Sequence, residues 1–252
     1  ASDQVLRFSV AEVIARPNTS AEANFVELYD STLEGVGGNA DLRPYEATNL
    51  DLDYEYYFAK NSYFAVDLFY KDISNYILNA ANPEAWKDYS LTGDPTETYE
   101  ITRPTNGGAA TSQGATFSFQ QTFADGLGIQ ANYTLMHTSS ALGPLPFSSK
   151  NQINISPFFE NKWGLIRLVY SWRDDYESSS FNGTAAVWTA PYGRLDVNAQ
   201  INITKNLSIL LSVLNLTDET YHQYFLNNGA GSILADEYKT GPDFSAAIHW
   251  IF

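Results

Sequence analysis

Three carboxylates recur at every second residue in Asp51-Leu-Asp53-Tyr-Glu55. In an extended chain that spacing puts all three on one face, where they can pair with cations or form a hydrated anionic wall. Arg194 and Asp196 repeat the spacing with opposite charges. A second group mixes rings with charges: Trp86, Tyr89, Tyr99, Trp188 and Tyr192, with Arg103, Arg173, Asp174 and Asp175. Aromatic faces beside polar groups can stack on sugar rings or planar chelates; they can equally pack a loop together. Other chemistry finds little support. His137, His222 and His249 lack the spacing of a metal site, no Ser–His arrangement marks a nucleophile, and there is no cysteine. No catalytic residue, metal or cofactor is expected.

The elements that must position these residues are written in a period of two. Leu6, Phe8 and Val10 alternate with polar or small neighbours, as do Leu50 to Phe58, Phe64 to Tyr70, Ala115 to Phe119 and Ile129 to Leu135. The pattern continues through Ile153 and Ile155, Ile166 to Trp172, Leu195 to Ile203 and Leu207 to Val213, and closes on Phe244, Ala246, Ile248, Trp250 and Phe252. This predicts about ten strands of roughly 9–12 residues. Connections alternate in length, short near 59–62, 124–127, 160–164 and 204–206, long near 14–47, 78–113, 139–150, 175–191 and 218–240. A net charge of -15 argues against nucleic acid, and no apolar run approaches the ~18 residues of a membrane helix. Alternation itself fits two architectures. The apolar face is a core in a β-sandwich and meets lipid in a membrane barrel. Loop asymmetry favours the barrel, as do Tyr54, Tyr56, Phe58, Phe123, Trp163 and Trp250 near the short turns, where a girdle of rings would meet headgroups.

Several segments resemble one family, in the right order. Gly38-Asn-Ala-Asp-Leu-Arg-Pro-Tyr-Glu-Ala-Thr-Asn49 before an alternating strand, Phe69-Tyr-Lys-Asp-Ile73, Val213-Leu-Asn-Leu-Thr-Asp-Glu219 and the final Phe252 are similar to TonB-dependent outer-membrane receptors. The resemblance implies an antiparallel transmembrane β-barrel in the outer membrane of a Gram-negative bacterium. Residues 1–252 would form the C-terminal part of a larger, about 22-stranded, plugged barrel. No stretch resembles a plug or a TonB-contacting box, and Ala1-Ser-Asp-Gln leads straight into a strand, so the chain reads as processed or as a piece of something longer.

The same resemblance implies import of a scarce ligand powered by the TonB energy-transducing complex, with outer-membrane lipid around the wall. Phe252 would be read by the barrel-assembly machinery. Asp51, Asp53, Glu55, Arg194 and Asp196 would face the lumen or plug. Trp86, Tyr89, Tyr99, Arg103, Arg173, Asp174, Trp188 and Tyr192 would meet the ligand in the outer loops. The style of Phe69–Ile73 and Tyr170–Tyr176 leans towards an oligosaccharide over a ferric siderophore. Two alternatives stay open: a self-contained ten-stranded passive pore, and a soluble carbohydrate-binding β-sandwich.

Overall fold

A computed structural model describes residues 3–140, 145–181, 185–227 and 231–251. From the first described residues the chain runs through β1 (Gln4–Ala15), one helical turn at Thr19–Glu22, and the short strands β2 (Val26–Tyr29) and β3 (Glu34–Gly37). The hairpin β4 (Tyr45–Ala59) and β5 (Ser62–Ser74) follows, then β6 (Ile77–Lys87) and β7 (Thr96–Asn106). Next come β8 (Ala110–Thr122), β9 (Leu127–Ser140), β10 (Asn151–Asn161) and β11 (Gly164–Arg173). The chain continues with β12 (Tyr176–Phe181), β13 (Ala185–Thr189), β14 (Tyr192–Asn202) and β15 (Leu207–Leu214). It finishes with β16 (Thr220–Asn227), β17 (Gly231–Lys239) and β18 (Asp243–Trp250).

Ten of these form one antiparallel sheet in the order β1-β4-β5-β8-β9-β10-β11-β14-β15-β18, and they are the ten segments with sustained period-two alternation. The registers carry that alternation across the sheet. Phe8 stands opposite Leu52, Leu52 opposite Leu68 and Leu68 opposite Ala115, while Arg7, Asp53, Asp67 and Thr116 line up on the reverse face. A one-residue slip would exchange the two faces, so the pattern fixes the register. Tight turns join the strands at one end: Asn61 and Asp125 adopt positive φ (56° and 68°) there, a conformation that Asn and Asp tolerate better than most residues.

The apolar face is the exposed one. Phe8 is 69% exposed, Leu168 40% and Phe244 70%, and among the described residues no second sheet lies over them. This removes the sandwich, whose apolar face would be sequestered. It fits a wall whose outer surface meets hydrocarbon. The ten strands also do not close on themselves: among the described residues β1 pairs only with β4, and β18 only with β15. A self-contained ten-stranded pore is therefore not what this chain builds.

The long connections depart from expectation. Four of the five, those near 14–47, 78–113, 175–191 and 218–240, are not irregular loops but supply two four-stranded sheets at the end away from the tight turns, β2-β3-β7-β6 and β12-β13-β16-β17. Their strands take partners from different connections, including a parallel pairing of β3 with β7. Pro83, Pro95 and Pro104 and the glycines of Glu34–Gly37 break the alternation locally, so period alone gives no sign of them.

A lysine on the apolar face at mid-wall should be costly, and on the reverse face tolerated. Leu168→Lys in the intact receptor should lose about 2–4 kcal/mol in folding into lipid vesicles, and Ser118→Lys much less. Equal losses in a denaturant titration would contradict the assignment of faces.

Candidate functional site

Two regions bring polar side chains together: the polar face of the wall, and the mouth where the outer sheets stand on it. On the polar face the carboxylate row is not left bare. Arg7, across the β1–β4 pairing, donates from Nη1 to Asp53 Oδ2 at 2.8 Å and also bridges to Glu55 Oε1. Tyr57 donates to the other oxygen of Glu55 at 2.5 Å, and Ser9 donates more weakly to Asp51 at 3.3 Å. Asp67 adds a fourth carboxylate directly opposite Asp53. Within the Asp51, Asp53 and Glu55 row, Asp51 thus keeps the least compensated charge. Further round, Arg167 donates to Gln130 and Gln130 to Gln120, both at 2.8 Å, while Asn154 donates to Asn132 at 2.9 Å. Arg7 escaped notice in the sequence because its role depends on which strand pairs with Asp53.

Arg194 and Asp196 share the polar face and pair at 2.9 Å. Asp196 is buried and does more than line a wall: its Oδ1 accepts the backbone N–H of Asn215 at 2.8 Å. Asn215, also buried and at φ 54°, donates from Nδ2 to Thr240 Oγ1 and to the Gly241 carbonyl, and its Oδ1 accepts the Glu219 N–H at 3.0 Å. The Asn-Leu-Thr-Asp segment is therefore a knot. It ends β15, starts the excursion into β16 and β17, and ties the return to β18.

The loop residues separate into two groups. Tyr99 on β7 is fully buried and its hydroxyl donates to Asp30 at 2.8 Å; burial, then that bond, push the phenol up to about 12. Arg103, also on β7, clamps Glu84 with two bonds (2.7 and 3.0 Å) and donates to the carbonyls of Gly38 and Phe25. The guanidinium holds the Glu84 carboxyl below its usual range. These two residues of the sequence reading are spent inside the β2-β3-β7-β6 sheet rather than presented at a surface. Trp86 on β6 is partly exposed with its indole N–H on Glu84, and Tyr89 is 72% exposed at the β6–β7 tip. They lie on the first outer sheet, away from the group that follows.

Arg173 and Tyr192 face each other across β11 and β14. They line a cavity of about 710 Å³ with Arg194, Tyr176, Tyr221, Tyr238, Glu219 and Asp243. Its floor is the polar face at the outer ends of β11, β14, β15 and β18, and its roof is the second outer sheet. Arg173 lies 3.8 Å over the Tyr176 ring and donates to Ser149 Oγ and the Phe147 carbonyl, both at 2.9 Å. Tyr221 packs on Tyr238 at 4.6 Å and edge-on to Tyr192 at 6.1 Å. Burial raises the Tyr176 phenol, but hydrogen bonding with Thr189 and Tyr221 and the Arg173 charge carry it below its ordinary value. Asp174 accepts from Asn151 Nδ2 at 2.7 Å, and Asp175 accepts from Tyr224 at 3.1 Å; burial, then that bond, push Tyr224 up to about 12. Trp188, on β13 opposite Tyr224, is half-buried in the roof. The three tyrosines contributed by β12, β16 and β17 escaped the sequence reading because the roof pairing is non-local. Phe252 lies outside the described residues, and no group of His, Asp and Glu among the described residues could hold a metal ion.

Comparisons with known proteins follow the same lines. Residues 1–216 match the family described as TonB dependent receptor-like, beta-barrel. A search of curated proteins gives no match. Solved structures with a similar fold include a ferric enterobactin receptor from Pseudomonas aeruginosa (TM-score 0.77, 18% identity, 100% of this chain and 38% of that one). The siderophore receptor PirA from Acinetobacter baumannii has a TM-score of 0.71 at 17% identity, over 100% of this chain and 39% of its own. The ferripyoverdine receptor of the Pseudomonas aeruginosa outer membrane has a TM-score of 0.62 at 16% identity, over 99% and 31%. The chain thus spans about two-fifths or less of these structures, and at such identities the likeness is one of fold.

The knot has a direct consequence. Asn215→Ala removes the partners of the Glu219 N–H and frees a positive-φ position of its best-suited side chain. It should destabilise the β15–β18 corner by about 1–3 kcal/mol, read as faster proteolysis within 216–242 at unchanged barrel content. Unchanged proteolysis would show that the knot is dispensable.

Proposed function

This chain belongs to the TonB-dependent receptors of the Gram-negative outer membrane, as part of their β-barrel, and from that premise we propose that it carries the wall and mouth of an importer. The supporting observation is the cavity that joins the polar face to the roof sheet, with Arg173, Tyr192, Arg194 and Tyr221 around one space. A ligand captured there meets aromatic faces and charges of both signs before it reaches the lumen. The work is differential binding and gating rather than bond chemistry. Energy would come from the TonB complex, acting on parts of the receptor beyond this chain.

For the ligand, a ferric siderophore is the better reading. The similar solved structures carry the names of siderophore receptors, and nothing beyond sequence style supports an oligosaccharide. Tyr192→Ala, which removes a ring from the cavity without touching the Asn215 knot, should weaken ferric-siderophore binding by the intact receptor roughly tenfold. Calorimetry checks this. Glycan binding with no ferric-siderophore binding would return the ligand class to oligosaccharides.

On the lumen side, the carboxylates at Asp51, Asp53, Glu55 and Asp67 make one quadrant anionic with Arg7 as its partial counter-ion, suited to basic groups of a plug. Asp51→Lys, which spares the Arg7 bridges, should reduce ligand uptake several-fold with binding unchanged. Uptake at the wild-type rate would reduce the row to a hydrated wall.

A further inference from the structure

The lipid-facing side of the wall is not uniform. One cross-strand row carries Tyr56, Phe64, Phe119, Ala131, Ile155 and Tyr170 on six successive strands of the sheet. Ala131 is the small member of that row. It floors a hollow of about 260 Å³ walled by Phe64, Phe117, Phe119, Tyr133, Ile153 and Ile155. The walls are braced by stacking, Phe117 on Tyr133 at 6.4 Å and Phe119 on Phe58 at 6.2 Å, so neighbouring rings do not simply fold into the space. The hollow lies in the half of the wall nearer the tight turns, since Ala131 sits close to the start of β9 at Leu127.

Charges wait below it. The β8–β9 turn directly beneath carries Asp125, and the next turn along, between β10 and β11, carries Lys162 beside Trp163; both charged residues are exposed. Adjacent hairpins stand about two strand spacings, roughly 10 Å, apart, a gap that two side chains and one headgroup can fill. Glu160, the other charge near that turn, alternates onto the lumen face with Phe158 and Arg167. Trp163 is 67% exposed with the Lys162 ammonium 5.0 Å over its ring, an arrangement suited to the headgroup layer.

We infer that this hollow retains one acyl chain of a phospholipid with a primary-ammonium headgroup, its phosphate on Lys162 and its ammonium on Asp125. An anion beside a cation matches the two charges of such a headgroup, and the hollow gives one chain a fixed seat on an otherwise fluid boundary. A headgroup without the ammonium would leave Asp125 unpaired, and a quaternary one could not donate a hydrogen bond to it.

Native mass spectrometry of the intact receptor, with phosphatidylethanolamine, phosphatidylglycerol and phosphatidylcholine added back in detergent, tests this. The wild type should retain phosphatidylethanolamine about tenfold more readily than either competitor. Ala131→Phe should abolish the retained lipid and Ala131→Leu reduce it, while Ala115→Phe, at another outward-facing position of the wall, leaves it unchanged. Asp125→Asn should erase the preference over phosphatidylglycerol, and Lys162→Gln should weaken both. Heat-modifiable gel mobility separates loss of the seat from loss of the barrel. Equal retention of the three lipids by folded wild type, or undiminished retention in folded Ala131→Phe, would overturn the inference.

Discussion

Backbone N–H and C=O groups in hydrocarbon have no water to bond, so a membrane wall of strands must satisfy every one of them between neighbours. That requirement organises this chain. Ten strands pair in one antiparallel sheet with tight turns at one end, and the sheet needs no second layer because its apolar side is covered by lipid. β1 and β18 remain as edges, each with one partner among the described residues. In hydrocarbon such edges must be met by further strands, which agrees with similar solved structures more than twice as long as this chain.

With lipid on one side, most of the wall's charged and amide side chains are turned to the other, while Glu12, Glu46, Asp72 and Gln113 share the apolar face towards its outer end. On the polar side the carboxylates of β4 and β5 meet Arg7 and the glutamine and asparagine side chains bond to one another across strands. The polar face is cross-linked rather than merely wet. Its outer end supports the second roof sheet, and the Asn215 knot fixes how that sheet leaves and rejoins the wall. The cavity exists because the knot and the roof both hold. Arg173 contributes twice, to packing on Tyr176 and to the charge in the cavity.

The first outer sheet shows how a residue type can mislead. Tyr99 and Arg103 have the chemistry of ligand contacts, yet one is sealed and the other clamps Glu84 and two backbone carbonyls. A ring or guanidinium in a long connection serves either the ligand or the connection. Only partners distant in sequence decide, and here Asp30, Phe25 and Gly38 come from a different connection from Tyr99 and Arg103. Arg173 and Tyr192 sit instead where the wall begins, and remain at the rim of open space.

The amino-acid sequence determined the wall's ten spans, which side chains share a face, and the alternation of tight turns with long excursions. A surface between lipid and water imposes a strict period of two that needs no knowledge of neighbours. Motif order determined the family in the same local way. Tertiary structure alone decided the rest, namely that the excursions are paired strands, that Arg7 neutralises part of the carboxylate row, and that four tyrosines from β12, β14, β16 and β17 surround one cavity. Each of those depends on contacts between segments far apart in the chain, where local periodicity carries no record of the partner.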